Sequence, residues 1–181
     1  MYRDHNCGEL TIKNVGEKVT IAGWVQRIRN LGSMIFIDLR DQFGITQIVV
    51  SADNKEKLEN VVSECVIQVV GTVVERSNKN TKILTGEIEV EAQEIEILGK
   101  CKNVLPFEVN SEKTGEVKED LRLEYRFLDL RNDKLHKTIL LRSEVMKTIR
   151  KKMDELGFTE IQTPILANSS PEGARDFLVP S

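Results

Sequence analysis

The chain has 181 residues, of which 40% are hydrophobic and 30% charged, and its net charge at pH 7 is −3. This composition is typical of a soluble globular protein with one or two domains, and the acidic balance argues against nucleic-acid binding by overall charge, though not against a local basic patch. No apolar run approaches the ~20 residues of a membrane helix, and the N-terminus lacks the hydrophobic core of a signal peptide. The three widely spaced cysteines, Cys7, Cys65 and Cys101, predict free thiols in the cytoplasm.

The first hundred residues predict a β-barrel. Alternating apolar residues predict five strands, over 18–30, 33–41, 44–52, 66–76 and 86–98. In the second strand Ile35, Ile37 and Leu39 share the apolar face. Asn54 begins a short predicted helix between the third and fourth strands, with Leu58, Val61 and Val62 expected on one face. Three strands, a helix and two strands are the order of a five-stranded OB barrel, which we assign to residues 1–104; a sandwich fragment is the alternative, but it would lack that helix.

The rest of the chain predicts a linker and the start of a second domain. Pro, Gly and mixed charges without periodicity predict a linker and hinge over 105–134. Apolar residues then recur at helical spacing from Leu135 to Leu156, and Gly157 follows where a helix C-terminus favours glycine. The segment "FTEIQTPIL" alternates as a strand, with Pro164 inside it. Residues 135–181 are therefore predicted to be an incomplete α/β domain.

An aromatic residue on a polar strand face is the first candidate for a binding site. Phe36 lies on the same side of its strand as Asp38, opposite the apolar stripe. OB barrels commonly hold single-stranded nucleic acid with bases stacked on such rings. The alternative is a ring covered by a loop. Trp24 is opposite in parity to the nearby arginines of the first strand, which predicts a position in the core.

Polar residues on neighbouring strands favour the binding interpretation. Gln47 carries an amide that can both donate to and accept from a base edge. Arg27 and Arg29 share one strand face and could pair with phosphates or stack on bases. Glu89 could accept hydrogen bonds from base N–H groups, although it could also be one more solvated carboxylate in an acidic strand. Together these residues predict recognition of a few unpaired bases.

Several segments of the chain resemble the bacterial-type aspartyl-tRNA synthetases of class II. They are "GWVQRIRNLGSMIFIDLRDQFGITQIV", "GTVVER", "TGEIEV", "LRLEYRFLDLR" and "SPEGARDFLVPS", in register from Tyr2 to Ser181. The resemblance implies an anticodon-binding OB domain, a hinge, and the start of a class II catalytic domain. It implies an aspartate–tRNA ligase, a cytoplasmic homodimer that uses ATP and Mg²⁺ to activate L-aspartate and transfers it to tRNA(Asp).

The resemblance also implies roles for individual residues of the barrel. Phe36 would stack on the central anticodon base, and Leu31 would bear on the exclusion of tRNA for asparagine. The remaining residues would read base edges or surround the anticodon: Gln47, Glu89, Arg27, Arg29, Arg76 and Asn80. Val74 stands where relatives often carry a basic residue, and the loop after Arg76 is slightly short, so the anticodon contacts are expected to differ in detail.

In the second domain the resemblance implies a dimer-interface motif with Pro164 as its proline, Gln162 standing where a Glu is usual. It also implies a mobile loop whose Glu172 faces the ammonium group of aspartate. The motifs that hold ATP and metal would lie beyond Ser181, so no catalytic residue or metal ligand is expected in residues 1–181, which should be inactive alone. The alternatives are a free-standing OB protein that binds RNA, and part of an asparaginyl or lysyl enzyme.

Overall fold

The computed structural model of the chain describes residues 2–102, 104–109 and 117–165. The chain divides into two units, Met1–Asn110 and Ser111–Ser181. In the described residues, no helix is long and apolar enough to cross a membrane.

The first unit is a closed ring of five strands. The strands are β1 (Lys18–Asn30), β2 (Met34–Arg40), β3 (Ile45–Ser51), β4 (Val66–Glu75) and β5 (Ile88–Gly99). Their order around the ring is β1-β2-β3-β5-β4, and all neighbours are antiparallel except β3 and β5, which pair in parallel. A 3-10 helix, Ala52–Leu58, lies between β3 and β4, as the OB order requires. The predicted OB fold is confirmed.

Alternate residues of every strand point into the barrel and form its core. Ile37, Leu39 and Ile48 are 0% exposed, and Ile35 is 5% exposed, so the predicted apolar face of β2 is confirmed. After the 3-10 helix, Val61 is buried but Val62 is 49% exposed, contrary to the shared face expected for them. The reason is that a short 3-10 turn, and not a regular α-helix, precedes them.

Trp24 does not lie in the core, and that prediction is wrong. Val25 takes the core position with no exposure, while Trp24 is half-buried on the outer side of β1. The register of β1 against β2 shifts between Val25 and Arg27. A bulge of this kind adds one residue and reverses the parity of everything that follows. Trp24 and Arg27 therefore both face outward although their sequence parity differs.

The second unit contains three helices in its described residues: α1 (Glu119–Glu124), α2 (Arg126–Asp129) and α3 (Asp133–Glu155). Helices α1 and α2 lie within residues 105–134, the segment predicted to be a linker and hinge. They have only six and four residues, too few to show a helical period of apolar residues. Asp129 is 0% exposed, and the nearby Arg122 Nε donates to its carboxylate at 2.8 Å. Arg126 is a second partner of the same carboxylate. This pairing compensates the buried charge of Asp129.

Helix α3 is capped at both ends, and its predicted end before Gly157 is confirmed. The Asn132 side-chain oxygen accepts hydrogen bonds from the backbone N–H groups of Lys134 and Leu135, at 3.1 and 3.3 Å. At the other end Gly157 has a φ of +83°, and Phe158 N donates to Met153 O at 3.1 Å, which is a Schellman motif. None of the 23 residues of α3 is buried.

Residues 158–165 form no strand, contrary to the alternation of "FTEIQTPIL". A strand exists only when a neighbour accepts and donates its ladder hydrogen bonds. The element that precedes this segment is helix α3, and Ile161 and Ile165 are 77% and 100% exposed. The sequence of this segment has the apolar alternation of a strand, but no described strand pairs with the segment.

Candidate nucleic-acid interface

The outer face of β1, β2 and β3 brings the predicted binding residues together. In the β1–β2 register Arg29 is opposite Phe36 and Arg27 is opposite Asp38. In the β2–β3 register Asp38 is opposite Gln47. Residues that are directly opposite on one face of a sheet have side chains within contact distance. The strand pairing therefore places these residues in one patch, and the outward turn of Arg27 and Arg29 follows from the bulge in β1.

Gln47 is the centre of a hydrogen-bond network in this patch. Its Oε1 accepts from Arg29 Nη2 at 3.1 Å and from Arg76 Nη2 at 2.8 Å. Its Nε2 donates to Glu89 Oε2 at 2.7 Å. Gln47 is only 4% exposed, so these bonds satisfy an otherwise buried amide. Four of the eight predicted tRNA-binding residues, Arg29, Gln47, Arg76 and Glu89, thus form one connected group.

Asp38 is a fifth member of the network that sequence reasoning did not select. Its Oδ1 accepts from Arg29 Nη2 at 2.6 Å. Its parity on β2 matched that of Phe36, and this signal could have found it. On the other side of Gln47, Arg76 Nε lies 4.0 Å from Glu89 Oε2. The network therefore contains two guanidinium groups and two carboxylates around one amide, and its formal charges cancel.

The remaining predicted residues lie around this network. Phe36 is half-buried, with Arg29 opposite it on β1 and Val49 opposite it on β3, so part of its ring is accessible. Arg27 is exposed. Leu31 is 69% exposed in the β1–β2 turn, where Gly32 takes a φ of +76°. These positions give the patch an accessible ring, an exposed cation and an exposed turn.

Asn80 lies in the loop between β4 and β5 and shapes it. Its backbone N–H donates to Gly86 O at 2.9 Å, and its side-chain oxygen accepts from Lys82 N at 3.0 Å. A Cβ on Gly86 would overlap the Asn80 carbonyl oxygen, so glycine is required for this close approach. In the same loop a hydrogen bond to the Glu75 carboxylate, at 2.9 Å, raises the pKa of Lys79. The loop therefore adds a cation beside the end of β4.

Two predicted site residues belong to the second unit of the chain, Ser111–Ser181. Pro164 is exposed within the segment 158–165. Glu172, the expected partner of the aspartate ammonium group, is outside the described residues. In the parts of the chain that the structure describes, no group of three or more His, Cys, Asp or Glu side chains could hold a metal ion. The candidate site is therefore the polar network and ring on the barrel.

Two family models match the chain, one for each part. Residues 19–98 match the OB-fold nucleic acid binding domain, which covers all five strands except the last residue of β5 and the first of β1. Residues 118–181 match the class II tRNA synthetases (D, K and N), a range that begins just before α1. The chain is thus similar to an OB-fold nucleic acid binding domain in its first unit and to part of a class II synthetase domain in its second.

Curated relatives are similar to the chain from end to end. An "Aspartate--tRNA(Asp/Asn) ligase" of Pelagibacter ubique is 51% identical over 99% of this chain and 30% of the relative. An "Aspartate--tRNA ligase" of Mesoplasma florum is 48% identical over 100% of this chain and 31% of that relative. The chain therefore spans about a third of the length of the relatives it matches.

A solved structure shares the fold. The asparaginyl-tRNA synthetase from Pyrococcus horikoshii, crystallised with asparaginyl-adenylate, matches with a TM-score of 0.79 and 27% identity. The match covers 96% of this chain and 39% of the archaeal protein. The relatives of about 50% identity confirm the resemblance to aspartyl-tRNA synthetases that the sequence motifs indicate.

Proposed function

We propose that this chain, which by sequence resembles part of an aspartate–tRNA ligase, contributes the anticodon-binding domain of such an enzyme. The observation that carries the proposal is the hydrogen-bond network around Gln47 beside the accessible ring of Phe36. Both lie on the outer face of β1, β2 and β3, the face on which OB barrels bind oligonucleotides. The basic, polar and aromatic groups needed to bind an unpaired base are present within one patch.

The network is suited to reading the edges of bases. Base edges carry hydrogen-bond donors and acceptors in patterns that differ from one base to the next. Glu89 retains a carboxylate oxygen that accepts only, while Arg29 and Arg76 retain N–H groups that donate only. A base that places donors toward Glu89 and acceptors toward the arginines would satisfy both. The ring of Phe36 would supply the sequence-tolerant part of the affinity by stacking.

We propose that the complete aminoacylation reaction is carried out by a protein as long as the curated relatives, of which this chain spans about a third. It would activate L-aspartate with ATP and Mg²⁺ and transfer the aspartyl group to tRNA(Asp), acting as a cytoplasmic homodimer. Pro164 is proposed to lie at the dimer interface and Glu172 to pair with the ammonium group of aspartate. No step of that reaction is assigned to the described residues. Their part in the reaction is to select the tRNA.

The Phe36→Ala variant tests the proposal directly. We expect it to weaken binding of a tRNA(Asp) anticodon stem-loop by about 1–3 kcal/mol, the usual worth of one base–aromatic stack. The matched control is Phe43→Ala, because Phe43 is also an exposed ring (51%) but lies in the β2–β3 turn, at the other end of β2. It should leave RNA affinity unchanged. Affinity is measured by fluorescence anisotropy with the 181-residue chain, and thermal unfolding of both variants checks that the barrel is intact.

The choice of RNA separates the proposed function from its alternatives. Few phosphate contacts are expected on an acidic protein, so the affinity should fall with salt with a log–log slope of about −2 to −4. A stem-loop with a scrambled loop should bind more weakly at moderate salt. Equal affinity for the scrambled loop would support an OB protein that binds RNA without reading sequence. A tRNA(Asn) stem-loop added as competitor tests whether both tRNAs named for the Pelagibacter relative are bound.

A further inference from the structure

We infer that Asp38 is a positioning residue of this interface: it holds Arg29 against Gln47 and thereby fixes the orientation of the Gln47 amide, and with it the placement of the arginines and Glu89 that would contact the RNA. The inference rests on the proposed function and deepens it. Asp38 is a carboxylate on a face proposed to bind a polyanion, where its charge alone would oppose binding. A role in placing other groups gives a physical reason for a negative charge at this position.

The geometry makes one nitrogen the link between Asp38 and Gln47. Arg29 Nη2 donates to Asp38 Oδ1 at 2.6 Å and also to Gln47 Oε1 at 3.1 Å. The shorter bond is the charge-assisted one, and such bonds are the stronger kind. Arg29 Nε is buried and has no hydrogen-bond partner among the described residues, so Nη2 is the atom through which the described structure holds the guanidinium. Asp38 therefore determines where that nitrogen lies.

The position of Arg29 in turn fixes the orientation of the Gln47 amide. The oxygen and nitrogen of a glutamine amide have nearly the same shape, and only hydrogen-bond partners decide which way it points. Here two guanidinium groups face Oε1 and the Glu89 carboxylate faces Nε2. A reversed amide would point its N–H groups at Arg29 and Arg76, where three donors would meet without an acceptor. The amide is thus held with its donor side toward Glu89.

Asp38 also keeps Arg29 from acting as a simple phosphate binder. An arginine on an RNA-binding face is attracted to any phosphate, whatever the base sequence. While Arg29 is paired with Asp38, its charge is largely compensated within the protein, and its remaining N–H groups are directed by the network. Removal of the carboxylate would release Arg29 toward the RNA backbone. We expect the result to be a loss of sequence discrimination, with binding itself retained.

The test compares two RNAs with variants of the 181-residue chain. For each protein the dissociation constants of the tRNA(Asp) anticodon stem-loop and of its scrambled-loop version are measured, and their ratio is the discrimination. Asp38→Ala should reduce this ratio about tenfold, which corresponds to one hydrogen bond to a charged group. Affinity for the scrambled loop should stay the same or increase. Asp38→Asn keeps an oxygen acceptor for Arg29 and should restore part of the discrimination.

A matched control removes a carboxylate of the same barrel outside the network. Glu94 is exposed on β5, opposite Val70 of β4, and Glu94→Gln changes the net charge as much as Asp38→Asn does. It should leave the discrimination unchanged. The double variant Asp38→Ala/Arg29→Ala should discriminate no worse than Arg29→Ala alone, because Asp38 acts through Arg29.

A measurement without RNA checks the positioning step itself. In the wild-type chain the two Nη groups of Arg29 should give distinct ¹⁵N resonances, because its hydrogen bonds restrict rotation of the guanidinium; in Asp38→Ala they should merge. A scrambled-loop affinity and a discrimination ratio both unchanged in Asp38→Ala would overturn the inference and leave the proposed function intact. Failure of the wild-type chain to prefer the cognate loop would overturn both.

Discussion

The barrel buries its apolar side chains, whereas helix α3 of the second unit leaves its apolar side chains largely exposed. In the barrel the inward side chains of all five strands are buried, many with no exposure at all, as for Ile21, Ile37 and Val69. In helix α3 no residue is buried, although it carries seven apolar side chains that are between 38% and 66% exposed, from Ile139 to Met153. Both regions have the right hydrophobic period for their type of element.

The difference shows that periodicity predicts an element but not what covers its apolar face. A five-stranded ring closes upon itself, so each strand finds its packing partners within the same unit. A single amphipathic helix finds none on its own and depends on other elements to remove its stripe from water. We therefore expect the barrel to unfold cooperatively and α3 to contribute little to that transition. Three predictions test this contrast, in order of expected effect.

The largest effect is expected from truncating a core residue of the barrel. Ile37→Ala should lower the free energy of unfolding by about 2–5 kcal/mol, because it removes buried methyl groups and leaves a cavity. The matched variant Leu141→Ala on α3 should change it by less than about 0.5 kcal/mol, since Leu141 is 66% exposed. Urea unfolding followed by the fluorescence of Trp24, the one tryptophan of the sequence, reports on the barrel. A comparable loss in both variants would mean that α3 is covered in solution.

An intermediate effect is expected at the buried charge of the helical unit. Asp129→Asn weakens the hydrogen bonds from Arg122 and Arg126 and should cost about 1–3 kcal/mol of local stability in α1 and α2. Amide hydrogen exchange over residues 119–132 measures it. Glu144→Gln is the control, because it removes a solvent-exposed ion pair with Lys147 and should alter nothing. Faster exchange in the barrel strands of the Asp129 variant would show that the two units do not unfold separately.

The smallest effect is expected at two glycines with left-handed backbone. Gly32 in the barrel (φ +76°) and Gly157 after α3 (φ +83°) have no atom near a new Cβ, so alanine would add backbone strain without a clash. Each substitution should cost about 1 kcal/mol. Gly32→Ala should shift the Trp24 transition, whereas Gly157→Ala should lower helicity at the end of α3 in circular dichroism and leave that transition in place. Gly99→Ala, whose Cβ would make ordinary contact with Val66, is the neutral control.

The sequence predicted most of the fold because period and capping are local properties. All five strands, the apolar face of β2, and the end of α3 before Gly157 follow from neighbouring residues alone. The predictions were wrong where a bulge residue or a partner strand elsewhere in the chain determines the local structure. Trp24 was assigned to the core because the bulge after Val25 leaves no mark in the alternation. The strand expected over 158–165 has the right period but no described partner strand.

The candidate site was predictable in its residue types but not in its contacts. The parity of β1 and β2 indicated Arg27, Arg29 and Phe36, and side-chain chemistry indicated Gln47 and Glu89. The resemblance to aspartyl-tRNA synthetases added Leu31, Arg76 and Asn80. The bounds of the domains and the roles of the site residues stay predictions. Arg40 shows the limit of parity: it lies on the outer side of β2 but is 5% exposed, because the Glu64 carboxylate covers it at 2.9 Å.

Apart from the bulge in β1, the sequence by itself determined which residues of each strand point outward, since side-chain direction alternates along a regular strand. Only the tertiary structure decided which of those outward groups meet. Gln47 and Glu89 are 42 positions apart and become hydrogen-bonded neighbours because β3 and β5 pair in parallel when the ring closes. Arg76 reaches the same amide from the end of β4. No local pattern encodes this meeting, because it depends on the order of strands around the barrel.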